Sequence, residues 1–156
     1  MNLREISYGS VEFRQECELR QEVLRRPLGL NLYDEDLRRE ADQWHFGLFD
    51  GAGDLIGCVI AAPQSTTEAK IRQMAVAPAF QRRGLGRIIL QQLEATLVAR
   101  GFTRFTLHAR QSAVPFYEKL GYRVMGQRFV EVTIPHAAME KTRDQPRPST
   151  RDDVSS

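Results

Sequence analysis

The hydrophobic positions change period along the chain, and the changes mark its elements. Over residues 11–25, Phe13, Cys17 and Leu24 fall on one helical stripe with Leu19 and Val23 beside it. Ser10 precedes the run as an N-cap, and Pro27 and Gly29 stop it, so the pattern predicts a helix. The polar, acidic stretch NLYDEDLRREADQ reads as a loop with a short second helix. WHFGLF and DLIGCVIAA flank DGAGD, whose glycines suit a hairpin turn. In KIRQMAVAP, Ile71, Gln73 and Ala75 alternate with Lys70, Arg72, Met74 and Val76 until Pro78, a third strand. Three consecutive strands predict an antiparallel meander.

The helical period returns at 85–99, where Ile89, Leu93 and Leu97 are flanked by Leu85, Leu90 and Val98, with Gly101 at the C′ position. FTRFTLHA alternates Phe105, Leu107 and Ala109 against Thr106 and His108, and a helix from about Ser112 to Leu120 ends at Gly121. Strand, helix, strand, helix is a crossover arrangement, and YRVMG, FVEVTI and PHAAME supply the last strands. The expectation is a single α/β domain over residues 1–140, a mixed sheet around a central βαβα segment. Residues 141–156, KTRDQPRPSTRDDVSS, hold almost nothing apolar and are expected to form a disordered polar tail.

Composition narrows the function classes. The 156 residues suit one domain, and a formal net charge of +2 without aromatics among the basic residues argues against nucleic acid. The start MNLREISYGS lacks an apolar h-region and no apolar run nears the roughly 20 residues that span a bilayer. A cytoplasmic protein without a membrane partner is expected. Cys17 and Cys58 form no CxxC and no cluster with the histidines, so neither a disulfide framework nor a metal site is expected.

The chemistry concentrates in APAFQRRGLG, between the third strand and the 85–99 helix. Gly84 and Gly86 allow close backbone approach, and the first amides of the helix lack intrahelical acceptors. With the helix dipole and Arg82, Arg83 and Arg87, they make a site for phosphate or pyrophosphate. A P-loop is excluded because no Lys-Ser/Thr follows, and a dinucleotide fingerprint because Ile89 stands at its third glycine. On its own the loop leaves open a plain turn before a basic helix.

Its surroundings decide for a ligand. Gln81, Gly84 and Gly86 match [QR]xxGx[GA], MAVAP stands directly before, and AVPFYEKLGY at 113–122 is a helix with an aromatic pair ending in Gly-Tyr. In these two ordered signatures the chain resembles the GNAT superfamily of acyl-CoA-dependent N-acyltransferases over about residues 10–140. LRQEVL, LHAR and FVEVTIPHAAM are similar to its ElaA/YjcF-like branch, whereas RRPLGLNLYDED departs from that branch and leaves the acceptor open.

The resemblance implies a mostly antiparallel sheet of about six to seven strands flanked by helices. It implies acetyl transfer from acetyl-CoA to a primary amine of a small molecule or peptide, with no metal, and is compatible with a homodimer. Met74, Ala75 and Val76 would bond the pantetheine arm, with a main-chain N–H around Val76 stabilising the oxyanion. Gln81, Arg82, Arg83, Gly84, Leu85, Gly86 and Arg87 would cradle the pyrophosphate, and Phe116 would wall the cofactor. Tyr117 takes the general-acid position. The carboxylate many members carry on the strand before the loop is absent from Ile71-Arg72-Gln73-Met74, leaving His108, Glu131 and His136, with His45, as candidates for the base. That missing carboxylate also motivates the alternative of a non-catalytic acyl-CoA-binding sensor.

Overall fold

The computed structural model describes residues 1–131 and 133–144. Ser10 caps the first helix as its chemistry predicts, its hydroxyl accepting the Phe13 N–H at 3.1 Å. Helix α1 (Val11–Arg20) is continued by a π-helical turn over Gln21–Arg25, so the rod expected over 11–25 widens at its end. Its apolar stripe divides between two clusters. Phe13 and Cys17 pack with Ile6 and Leu32, while Leu19 packs with Cys58 and Ala75 and has Val23 and Leu24 against it. The acidic stretch holds two 3₁₀ turns, Leu32–Asp34 and Leu37–Glu40, in place of a second α-helix.

The strands are β1 (Leu3–Ile6), β2 (Trp44–Phe49), β3 (Leu55–Pro63), β4 (Glu68–Val76), β5 (Arg104–Arg110), β6 (Arg123–Glu131) and β7 (Ile134–Thr142). They form one seven-stranded sheet in the order β1-β2-β3-β4-β5-β7-β6, and only β4 with β5 is parallel. Helix α2 (Leu85–Ala99) makes that crossover, and α3 (Val114–Lys119) follows β5 after a 3₁₀ turn. The expected mixed α/β sheet with a central βαβα segment is therefore present. Leu85, Ile89, Leu90, Leu93 and Leu97 of α2 close the main core over Val59, Ile71, Phe105 and Leu107. Helix α1 lies on the opposite face, across β2, β3 and β4.

Three strand expectations change. On β4, Cys58 pairs with Ala75 but Ile60 with Arg72, so an extra residue bulges out, and Gln73 sits there at φ 56. A one-residue bulge exchanges the faces of a strand. Ala69 and Ile71 face the main core, and so do Met74 and Val76, whereas Ala75 joins the α1 side. The simple alternation expected through Val76 thus ends at Gln73. At the carboxyl end, YRVMG and FVE belong to one strand interrupted near Gly126, and the turn to β7 falls inside FVEVTI. Strand β7 continues through Lys141 and Thr142, paired with Phe105 and Arg104, so the boundary expected at Lys141 moves past both. The rest of the expected tail, residues 145–156, lies outside the described residues.

A charged group is buried between α1 and β2. Arg20, fully buried, bonds Glu16 at 2.9 Å and Glu40 at 2.8 and 2.7 Å. His45 Nδ1 faces the Glu16 carboxylate at 2.9 Å and its Nε2 faces the Glu40 carbonyl at 2.9 Å. Both ring nitrogens meet acceptors, so both must donate, which only the imidazolium does. Burial pulls the His45 pKa down, but the hydrogen bond and charge of Glu16 outweigh it and hold the pKa above the usual range. His45 is spent on this cluster, not on a reaction site.

Candidate active site

The parallel pairing of β4 and β5 runs only from Glu68 with Arg104 to Ile71 with Leu107. Beyond it the strands part, and a cavity of about 480 Å³ opens between them, with Arg72, Gln73 and Met74 on one side and His108, Ala109 and Arg110 on the other. The edge of β4 facing β5 carries no partner strand there, so its backbone groups are free to bond an extended ligand arm. Ala77 N–H bonds the Ile56 carbonyl at 2.8 Å, so by the alternation of an antiparallel ladder the polar groups of Val76 turn to the opening. The side chain of Gln81 donates to the Val76 carbonyl at 3.0 Å and ties the loop to the strand.

That loop is the one in which the sequence places an anion site. Arg82 and Gly84 have φ 64 and 76, which aim successive amides outward, and the first backbone bond into α2 is Ile88 N–H to the Gly84 carbonyl at 3.2 Å. The amides of Leu85, Gly86 and Arg87 are left for a ligand. Leu85 itself is buried in the main core, so only its backbone can serve. A Cβ on Gly86 would lie 3.3 Å from Phe116 Cζ, and Phe116 shares with Arg87 and Lys119 a groove of about 390 Å³ between α2 and α3. Arg82, Arg83 and Arg87 are exposed, and Arg83 lies over the Phe80 ring at 5.3 Å.

The glycines should therefore matter more than the arginines. Gly84→Val forces a β-branched residue to positive φ, and Gly86→Val pushes a methyl into Phe116, so each is expected to weaken coenzyme A binding about tenfold or more. Arg83→Ala removes an exposed, screened charge and should cost about threefold or less. Calorimetric titration of the three variants with coenzyme A checks the order.

The catalytic candidates come together. Tyr117, His108, Glu131 and His136 all line the cavity, together with Met74. Tyr117 is half-buried, its ring edge-on to Phe116 and Tyr122, and its hydroxyl has no hydrogen bond among the described residues. Burial pushes its pKa up to about 12, so the phenol keeps its proton at neutral pH. His108 Nδ1 lies 3.2 Å from the Glu131 carboxylate, and His136 Nε2 lies 3.8 Å from it. His136 Nδ1 faces the Ile134 carbonyl at 2.9 Å, which fixes the proton on that nitrogen. Three separate sequence candidates thus form one group across β5, β6 and β7.

The cavity also has residues that the sequence did not single out. Lys70, Arg72, Arg110, Arg25 and Glu35 line it. Lys70 and Arg72 stood out only as the polar half of an alternating strand. Glu35, in the acidic stretch before β2, is held by Arg25 at 2.6 Å, and Asp36 by Arg38 at 3.1 Å.

Comparison with known proteins identifies the family and the fold. The acetyltransferase (GNAT) domain family matches residues 20–143. YjcF, an uncharacterized N-acetyltransferase of Bacillus subtilis, is 38% identical over 73 residues, 46% of this chain and 52% of that one. The chain spans about half the length of the curated relatives it matches. Among solved structures, a Lactobacillus plantarum protein provisionally named an N-acetyltransferase superposes with a TM-score of 0.80 at 24% identity, covering 91% of this chain and 99% of that one. An aminoglycoside 6′-N-acetyltransferase complexed with coenzyme A gives 0.74 at 20% identity, covering 96% and 100%. Among the described residues no helix is long and apolar enough to cross a membrane.

Proposed function

The chain belongs to the GNAT acetyltransferase family, and from that premise we propose that it transfers an acetyl group from acetyl-CoA to a primary amine by direct attack. The observation that carries the reading is the convergence of Tyr117 and the His108–Glu131 pair on the cavity where β4 and β5 part. Backbone groups of Met74 and Val76 receive the pantetheine arm, those of Ala75 being turned to Cys58 of β3, and the amides of residues 83–87 hold the pyrophosphate, with Arg82, Arg83 and Arg87 adding charge. Phe116 walls the cofactor beside Gly86.

The chemistry needs two proton movements. An amine with a pKa of about 10.4 must lose a proton before its nitrogen attacks the thioester carbon. His108, oriented by Glu131, takes that proton, and His136 braces the carboxylate from β7. The oxyanion that develops is met by a main-chain N–H around Val76. The C–S bond then breaks and the thiolate leaves with the proton of Tyr117. Burial makes Tyr117 a weaker acid, but the same apolar surroundings make the thiolate a stronger base, which keeps the transfer close to balance.

The acceptor named for the coenzyme A-bound neighbour, an aminoglycoside, is not adopted for this chain. A polycationic amine is a poor match for a cavity lined by Lys70, Arg72 and Arg110. The test of the proposal is release of free thiol from acetyl-CoA that depends on an added amine, which separates a transferase from a sensor that binds acetyl-CoA without turnover.

A further inference from the structure

Strand alternation places Lys70 and Arg72 on the same face of β4, and His108 and Arg110 on the same face of β5, opposite the main core that takes Ala69, Ile71, Leu107 and Ala109. Helix α1 covers that face over β2, β3 and β4 but leaves β5 open, so His108 is exposed and Arg110 half-exposed. At the far end of the same sheet face every cation has a carboxylate. Arg104 is held by Glu68 and Glu140, and Arg123 by Glu140.

The cavity end is different. Lys70 Nζ has no hydrogen bond or ion pair among the described residues. Arg110 makes one long bond, from Nη2 to the Leu24 carbonyl at 3.5 Å. Arg72 donates to Gln43 at 2.6 Å and comes no nearer than 4.0 Å to a carboxylate, that of Glu40. The two carboxylates on the cavity wall are already engaged, Glu35 by Arg25 and Glu131 by His108. Among the described residues, Lys70 and Arg110 therefore face the cavity with no carboxylate in ion-pair range, and Arg72 has only Glu40, at 4.0 Å. Burial lowers the Lys70 pKa; the Glu131 carboxylate opposes this, and Arg72 adds a smaller push in the same direction as burial.

We infer that the acceptor is an amine whose molecule also carries an anion, a carboxylate or a phosphate, which Lys70, Arg72 and Arg110 hold while the amine faces His108. This rests on the acetyl-transfer reading of the same cavity. Lys70 and Arg72 stand about 7 Å apart along the strand, a span two long side chains close onto one anion. The free edges of the two guanidinium groups match a carboxylate or phosphate bidentately. A purely cationic amine finds no unpaired carboxylate on this wall to replace those contacts.

The experiment uses matched amines: an α-amino acid against its carboxamide, an aminoalkyl phosphate against the parent amino alcohol, and an aliphatic diamine. With acetyl-CoA, kcat/KM for at least one anionic member is expected to exceed that of its neutral partner tenfold or more, and the two pairs distinguish carboxylate from phosphate. Lys70→Met and Arg110→Gln should each cut that ratio at least fivefold. Binding of the same compounds to the coenzyme A complex, followed by calorimetry, keeps the two readings apart. Anion preference in binding without any turnover would uphold the cavity assignment and overturn the transferase reading. Equal binding of both members, or preference for the diamine, would overturn the assignment whichever amines are acetylated.

Discussion

Replacing Tyr117 by Phe is expected to lower kcat by about 10²–10⁴-fold, the usual contribution of a positioned general acid. The affinity for acetyl-CoA should change little, because the phenyl ring keeps its edge contacts with Phe116 and Tyr122. The hydroxyl makes no hydrogen bond among the described residues, so its removal leaves no buried partner stranded and stability should hold. Tyr117 stays protonated up to about 12, so its own titration should not bend the pH profile of the wild type in the neutral range. A pre-steady-state measurement of thiol release at saturating acetyl-CoA checks the variant. Turnover within a few-fold of wild type would assign Tyr117 to packing alone.

The second large effect is on stability. Arg20→Met is expected to cost about 3–5 kcal/mol, because it strands the buried carboxylates of Glu16 and Glu40 beside His45. Adding Glu16→Gln and Glu40→Gln should recover part of the loss. The same cluster predicts a pH dependence with a definite sign. The folded pKa of His45 is raised, so its stabilisation is complete below the unfolded value of about 6.5 and is lost as pH rises through the folded value. Denaturant unfolding between about pH 6 and 8, below the range of free thiols, should show stability falling in wild type and flat in His45→Gln. A slope of the opposite sign would mean that His45 is neutral in the native state.

What could be read in the sequence followed from local signals. Helix α2 and strand β5 were legible because Ile89, Leu93 and Leu97 repeat at helical spacing and Phe105, Leu107 and Ala109 at strand spacing. The placement of the loop was legible because Gly84 and Gly86 stand between a strand and a helix. The bulge at Gln73 was not, since a non-glycine residue at φ 56 has no composition signal, and it alone decides which face Ala75 joins. The buried cluster was hidden because its partners are 20 and 29 residues apart in the chain, and Glu16 and Arg20 look like a solvated helix face. Lys141 was misplaced for a similar reason. Its polarity reads as tail, but its ammonium bonds the Leu120 carbonyl at 2.7 Å and Glu94 at 2.9 Å. The cations of the cavity were visible as residues, but which of them have a carboxylate in reach, as Arg25 has Glu35, is a property of the fold.

The most direct measurement is thiol release from acetyl-CoA by the wild-type protein, with and without an amine acceptor, with acetylated amine quantified alongside. The account predicts thiol release that requires the amine, matches acetylated product one for one, falls by about 10²–10⁴-fold with Tyr117→Phe, and with Gly86→Val needs about tenfold more acetyl-CoA. Binding of acetyl-CoA with no amine-dependent release, across neutral, anionic and cationic acceptors alike, would contradict it and leave a sensor in place of an enzyme.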